Sequence, residues 1–526
     1  MSAIGNNYQY QTVGNCYVIE SPEDSYGGIL KTDQELVQIA KRRGGVGLDI
    51  SNIRPKHMVT NNAAKTTDGI GVFMERFSNS CREVAQKGRR GALMISISCH
   101  HPQIETFIEI KQDRTKVTGA NISIRWTDEF MEAVRDNTQV QLRFPVEKNV
   151  PHSIEKMVSA RSIWEKFTHS AWDCAEPGCV FVDTVHRNSP SDMYPGWKSI
   201  SSNPCGEQQM NNDSCRLMLN NLYSFVKNRF TKKAKFDFEL FDKVTQVAQR
   251  LMDDLVDLEL EKIDLILAKI DSDPEPEEEK ETERRMWVKF RKNCVEGRRT
   301  GLGITALGDC IAALGIRYGS DESIAVTESI YKALALGSYR SSVNLAKERG
   351  AFPIFDLELE KNHPFIKQIM AEDSQLEADF NQYGRRNIAN TTTAPAGSVS
   401  YETQTTSGIE PAFLLEMIKR RKVDKDKGER VDFTDESGDC WQQYEVNHKP
   451  FADWKEISGL TKVEESPYYM ATANEIDPIK SVHQQAAAQK WVCNAISRTV
   501  NLPKTATQEE VSQIYLEGWK SGCKGI

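Results

Sequence analysis

The sequence has no C-x-x-C pair and no apolar run near the roughly 18 residues that a membrane-spanning helix needs. The first absence removes the common redox motif. It also leaves a structural zinc ion without a ligand pattern, because Cys174 and Cys179 have no second pair to match them. The segment Met1-Ser2-Ala3-Ile4-Gly5-Asn6-Asn7 lacks the basic and apolar regions of a secretory leader, so a cytoplasmic protein without membrane contact is expected. Basic residues are outnumbered, 67 Lys and Arg against 75 Asp and Glu, and the net charge of −8 argues against nucleic acid held by charge. The clusters Gly44-Gly45-Val46-Gly47 and Gly88-Arg89-Arg90-Gly91 lack the dinucleotide and phosphate-loop patterns. Both read as tight turns entering strands. No internal repeat is present.

What is present is an ordinary globular composition, 39% hydrophobic and 27% charged, so the chain is expected to fold throughout. In its first half short apolar runs alternate with amphipathic segments. Residues 16–19, 92–97 and 120–124 read as strands, and 34–41, 72–84 and 128–135 carry helical spacing. That alternation predicts an α/β fold with a largely parallel sheet. Val244, Val247, Leu251, Leu255 and Leu258 make one apolar helix stripe, read as core packing or a contact with a partner helix. The acidic, proline-broken stretch near 271–283 and the polar stretch near 422–439 are expected to be solvated surface insertions. After Gly303 the chain turns mainly helical, with 324–348 the clearest long helix.

Of the 12 cysteines, Cys205 has the most informative neighbours. Proline fixes its own φ and glycine tolerates unusual dihedrals, so Pro204-Cys205-Gly206 reads as a sharp turn presenting a thiol. Alone, that pattern favours a buried structural cysteine. Asn203 and Glu207 lie two residues to either side, and in an extended loop all three side chains point one way. They combine a reactive sulfur, a general base and an orienting amide.

Asn203-Pro204-Cys205-Gly206-Glu207 resembles the finger-loop motif of ribonucleotide reductase catalytic subunits, most closely the adenosylcobalamin-dependent class II branch. Further motifs follow in that family's order over nearly the whole chain. They are Gly14-Asn15-Cys16-Tyr17-Val18-Ile19, Lys87-Gly88-Arg89-Arg90-Gly91-Ala92, Asp213-Ser214-Cys215-Arg216-Leu217, Arg299-Thr300-Gly301-Leu302-Gly303, Pro395-Ala396-Gly397-Ser398-Val399 and Gly408-Ile409-Glu410-Pro411. The resemblance implies that residues 1–526 form one ten-stranded α/β barrel of two parallel five-stranded halves, with the Cys205 loop at its centre. It implies reduction of ribonucleotides, most simply diphosphates, to 2′-deoxyribonucleotides for DNA synthesis. Cys205 would carry the thiyl radical that removes the 3′ hydrogen, Glu207 would take the 3′-hydroxyl proton, and Asn203 would hold the ribose hydroxyls. Cys16 and Cys215 would supply two electrons by closing a disulfide. Adenosylcobalamin is the implied radical source, with no protein metal site.

The same resemblance assigns the substrate site to Asn15 and to Pro395, Ala396, Gly397, Ser398 and Val399, where free amides at a helix start can hold phosphate without a cation. A deoxynucleotide effector is implied at a homodimer interface. Asp24 would meet its ribose, and loops 53–68 and 111–121, with Arg54, Asn61, Arg114 and Lys116, would read it. The family's ATP-cone and its mobile C-terminal cysteine tail have no counterpart in these residues. A thioredoxin-like or dithiol reductant, or a second chain completing the C-terminus, is therefore expected. A class I catalytic subunit fed by a metal-containing radical subunit, and a split-enzyme fragment serving as a binding module, stay open. A general thiol-disulfide oxidoreductase is disfavoured because C-x-x-C is lacking.

Overall fold

Short runs rich in Val, Ile and Leu become the strands of one sheet in the computed structural model, which describes residues 10–84, 91–424, 428–435 and 438–526. Residues 87–90 of one quoted motif, and five positions of the stretch near 422–439, lie outside the described residues. Strands β1 (Cys16–Val18), β2 (Gly45–Asp49), β3 (Leu93–Ser98), β4 (Asn121–Trp126) and β5 (Gly178–Phe181) run parallel in that spatial order. Strand β6 (Asp213–Cys215) lies antiparallel on the outer edge of β1. These strands are buried on both faces, as strands in a helix-covered parallel sheet are. Helices α1 (Tyr26–Lys41) and α2 (Ile70–Glu83) connect the first three strands and pack Leu36, Ile39, Met74 and Phe77 against Val46, Leu48, Ile95 and Ile97.

Helix α1 starts eight residues before its clearest apolar spacing. Ser25 caps it by accepting from the Gly28 amide at 3.0 Å, and Gly28 packs so close that a Cβ there would lie 2.6 Å from the Glu23 Cβ. Two glycines in the first turn hide that turn from a propensity reading.

A single residue, Arg216, separates β6 from β7 (Leu217–Asn221), which pairs in parallel with β8 (Gly301–Thr305). Beyond β8, Leu302 bridges Thr391 and Thr393 bridges Ile496, both in parallel, and Gly525 bridges Val180 on the free edge of β5 in antiparallel fashion. Among the described residues the strands form a six-stranded sheet and separate smaller ones, and no closed sheet is present. The same region also grips the Cys205 loop: the Glu207 carbonyl accepts from the Ala495 amide at 2.9 Å and the Thr392 hydroxyl at 2.7 Å.

Helices α3 (Phe238–Ser272) and α4 (Glu277–Gly297) form a long hairpin beside the sheet. The acidic stretch near 271–283 forms the tip of this hairpin, and its residues 274–279 are exposed. Glu277, Glu278 and Glu279 occupy the first turn of α4, where the helix dipole favours acids, and Arg284 pairs with Asp271 and Glu277. The stripe expected on α3 is split: Val244 and Leu255 pack against the core, whereas Val247 is 59% and Leu251 50% exposed. The buried face carries Thr245, Gln249, Asp253 and Glu259 among its apolar residues. Near 422–439 the chain turns between two antiparallel strands, Glu416–Lys422 and Cys440–Asn447, on the surface. Helix α5 (Asp321–Arg349) covers the long helical reading and packs against α3. No helix among the described residues is long and apolar enough to cross a membrane.

Candidate active site

The Cys205 loop is the tip of a tight hairpin. Ser201 and Ser202 pair antiparallel with Met210 and Gln209, leaving residues 203–208 to turn. The Gly206 amide donates to the Asn203 carbonyl at 3.0 Å, which puts Pro204 and Cys205 at the two central positions of the turn, and Gly206 follows at φ +84°. Asn203 closes the base, its amide donating to the Gln208 carbonyl at 3.1 Å and its Oδ1 accepting from the Gln208 amide at 3.0 Å. Cys205 is exposed, whereas Asn203 and Glu207 are buried.

Glycines admit this hairpin between the two groups of strands. A Cβ on Gly47 would lie 1.9 Å from the Ser202 carbonyl oxygen, and one on Gly45 would meet Pro204 Cγ at 3.0 Å and Cys16 Sγ at 3.1 Å. On the other side, a Cβ on Gly301 would lie 2.3 Å from Gln208 Nε2. The expectation that Gly45 and Gly47 serve a tight turn is corrected: both lie within β2, and their role is close approach of the loop.

Cys16 and Cys215 are direct partners across the antiparallel pair of β1 and β6. Opposed residues in such a pair have Cα atoms about 4.5–5.5 Å apart, inside the span a disulfide bridges. Both thiols are free and buried. Hydrogen bonds from Cys16 to Cys205, then to Cys215, with burial adding to them, hold the Cys16 thiol well above its ordinary pKa. Three sulfurs, from three separate segments, thus meet at one point. Asn203 Nδ2 lies 4.0 Å from Cys215 Sγ.

Glu207 is the one carboxylate on the hairpin tip. Burial pushes its pKa up to about 7, against the lowering effect of hydrogen bonds from its own backbone and from Asn203, and its Oε2 has no partner. A buried carboxyl poised near neutrality with a free oxygen can take a proton from a ligand. Thr392 and Ala495, which fix its carbonyl, were not singled out in the sequence. Thr392 sits in a Thr-rich run that reads as a loop, yet it is fully buried.

The remaining expected residues fall into separate groups. Asn15 is exposed beside Cys16; its amide donates to the Cys215 carbonyl at 3.2 Å and its carbonyl accepts from the Gly45 amide at 2.9 Å. Pro395, Gly397, Ser398 and Val399 are exposed around the start of α6 (Gly397–Thr403). The Ala396 amide, however, already donates to Ser407 Oγ at 2.9 Å, which leaves the first-turn amides of residues 397–399 for an anion. Asp24, Arg54 and Asn61 line one cavity of about 530 Å³, where Arg54 Nε contacts Asp24 Oδ2 at 2.8 Å. Lys116 lines a neighbouring cavity of about 450 Å³ that shares Asp68 and Val72 with the first, and exposed Arg114 lines neither. Asp253, Asp254 and Asp257 cluster closely enough to suggest a metal. Arg298 and Arg349 already neutralise them at 2.7–3.1 Å.

A profile described as "Ribonucleotide reductase, barrel domain" matches residues 14–526. The chain is 29% identical over 517 residues to a vitamin B12-dependent ribonucleoside-diphosphate reductase of Thermoplasma acidophilum, covering 97% of this chain and 60% of that protein. It is 28% identical to the Mycobacterium tuberculosis protein of the same description, covering 98% of this chain and 67% of the other. It is 24% identical to the ribonucleoside-diphosphate reductase large chain of Neurospora crassa, over 78% of this chain and 45% of that one. The chain thus spans between about half and two thirds of the length of these relatives.

Proposed function

The chain belongs to the ribonucleotide reductase barrel-domain family, and on that premise we propose that it reduces ribonucleotides to 2′-deoxyribonucleotides with Cys205 as the radical-bearing thiol. The observation that carries this reading is the meeting of Cys16, Cys205 and Cys215, of which only Cys205 is exposed. The Cys205 sulfur takes the 3′ hydrogen of the ribose and returns it at the end. Between those steps the C2′–O bond breaks, a C2′–H bond forms and water leaves. The two electrons come from the thiols of Cys16 and Cys215 as their S–S bond forms.

Glu207 draws the proton from the 3′ hydroxyl, for which a pKa of about 7 is suited. Asn203 orients the ribose hydroxyls, and a fixed near-attack geometry lowers the barrier by several kcal/mol. The free first-turn amides of Gly397, Ser398 and Val399, with Asn15 nearby in the family's pattern, receive the diphosphate. Adenosylcobalamin, in keeping with the B12-dependent relatives, supplies the initiating radical when bound. An exposed Cys205 fits a radical that arrives from outside the strands.

We read ten segments as the strands of a barrel in two halves: β1 to β5, then β6 continued by β7, β8, 391–393, 495–497 and 524–526. The parallel pairing of β1 to β5 and from β7 to 495–497, and the antiparallel contacts of β6 with β1 and of Gly525 with Val180, support this. A deoxynucleotide effector in the cavity of Asp24, Arg54 and Asn61, a homodimer and a thioredoxin-like or dithiol reductant complete the reading. The test is a single turnover. Pre-reduced chain, adenosylcobalamin and a ribonucleoside diphosphate, without external dithiol, should give deoxynucleotide and Cys16–Cys215 disulfide in equal amounts. Product without the disulfide, or no product at all, would contradict it.

A further inference from the structure

Glu259 on α3 is a fully buried carboxylate directly behind β1. Its Oε2 accepts from the amides of Val13 at 2.8 Å and Gly14 at 3.0 Å, and its Oε1 accepts from the Tyr17 hydroxyl, with Thr12 Oγ1 at 3.3 Å. All of these partners lie in residues 12–17, which run into β1. Strand pairing begins only at Cys16, so no neighbouring strand satisfies the amides of Val13 and Gly14. Burying a carboxylate costs several kcal/mol unless donors or a cation compensate it, and here the four donors are joined by the charge of the buried Arg216 nearby. A residue that only filled space here would be apolar.

Side chains alternate along a strand, so Cys16 faces the hairpin while Tyr17 faces α3 and α4, where it packs edge-on against Trp287 and Phe290. Burial, then the Glu259 charge, keeps the Tyr17 hydroxyl protonated and hence a donor. The opposite strand is held from the same side: Ser214, which pairs with Tyr17, accepts from Arg216 Nη2 at 2.8 Å. Glu259 is also the last of several polar side chains on one face of α3 that grip the strands or their approaches. Thr245 accepts from Asn220 Nδ2 at 3.1 Å, Gln249 Nε2 donates to Thr300 Oγ1 at 3.0 Å, and Asp253 accepts from Arg298 Nε at 2.7 Å.

We propose that Glu259 is a positioning residue: it fixes residues 12–17 from behind, and so sets the Cys16 thiol against Cys215 and Cys205 and places Asn15 beside them. This inference rests on reading Cys16 and Cys215 as the reducing pair. Their disulfide forms when two thiols lose two protons and two electrons, which diamide accepts in becoming the hydrazine. The test is the rate of Cys16–Cys215 disulfide formation in the intact reduced chain treated with diamide, read by mass spectrometry of alkylated peptides.

Glu259→Leu should slow that rate about tenfold or more, since displacements near 1 Å cost reactive pairs that much. Glu259→Gln should restore most of it, because Oε1 can accept from Val13 and Gly14 while Nε2 donates to the Tyr17 and Thr12 oxygens. A Leu variant that keeps its circular dichroism and oxidises at the wild-type rate overturns the proposal. So does a Gln variant as slow as Leu. If the Leu chain does not fold, Tyr17→Phe removes one donor at constant shape, and a wild-type rate there overturns it equally. Failure of the wild-type chain to form this disulfide would count against the redox pair itself.

Discussion

Gly47 and Ser202 are in backbone contact, so close that a Cβ at residue 47 would lie 1.9 Å from the Ser202 carbonyl oxygen. The base of the Cys205 hairpin therefore leans on a strand that must lack a side chain at that point. Gly47→Ala cannot be relieved by a rotamer change, because the obstacle is backbone. It should destabilise the chain by about 1–3 kcal/mol in urea unfolding. It should also lower kcat by about a hundredfold by shifting Cys205.

Cys16 and Cys215 act after the first hydrogen transfer in this account. Cys16→Ser and Cys215→Ser should each abolish deoxynucleotide formation while still allowing the 3′ hydrogen to be removed. The check is single-turnover analysis with quenched samples, scored for product and for loss of the 3′ label. Normal product from either variant would remove the pair from the mechanism.

Glu207 gives a pH dependence of known sign. Its folded-state pKa, about 7, lies above the ordinary carboxyl value, so its contribution to stability is fully present below the ordinary range and is lost as pH rises through 7. Glu207→Gln should therefore raise stability at pH 8, by up to about 3 kcal/mol, and change it little at pH 4. Its activity should fall mainly in kcat, and the rise of activity with pH near 7 should vanish. Thermal melts and pH–rate profiles of both chains measure this.

The Asp24 carboxylate holds Arg54 through two contacts, Nε to Oδ2 at 2.8 Å and the Arg54 amide to Oδ1 at 3.0 Å. Asp24→Ala should free Arg54 and weaken deoxynucleotide binding about tenfold, the loss expected for charged hydrogen bonds. Calorimetric titration with deoxynucleoside triphosphates reads it. Unchanged affinity would move the effector elsewhere.

The parts legible in the sequence are those written in local chemistry. Pro204 and Gly206 announce the turn at Cys205, and Asn203 and Glu207 mark it as a candidate site. Strands β1, β3 and β4 stand out as apolar runs. What stayed hidden depends on partners distant in sequence. Gly45 and Gly47 read as turn residues because the loop that needs them lies some 155 residues further on. On α3, Val247 and Leu251 advertised a core face, yet the buried face holds Gln249, Asp253 and Glu259. Strand ends present unpaired backbone groups and polar side chains to that face, and polar residues answer them better than leucine. Hydrophobic periodicity is blind to such a surface. The pairing of Cys16 with Cys215 came from family pattern alone, since nothing in the spacing of two lone cysteines fixes a register.

Removal of the 3′ hydrogen by Cys205 is the step on which every later one depends. A ribonucleoside diphosphate tritiated at C3′, incubated with adenosylcobalamin and the pure chain, measures it through the fraction of label that exchanges from the Cys205 thiol into water before that hydrogen is returned. The wild-type chain and Cys215→Ser should both release tritium, and Cys205→Ser should release none. Release by Cys205→Ser at the wild-type rate would contradict the account.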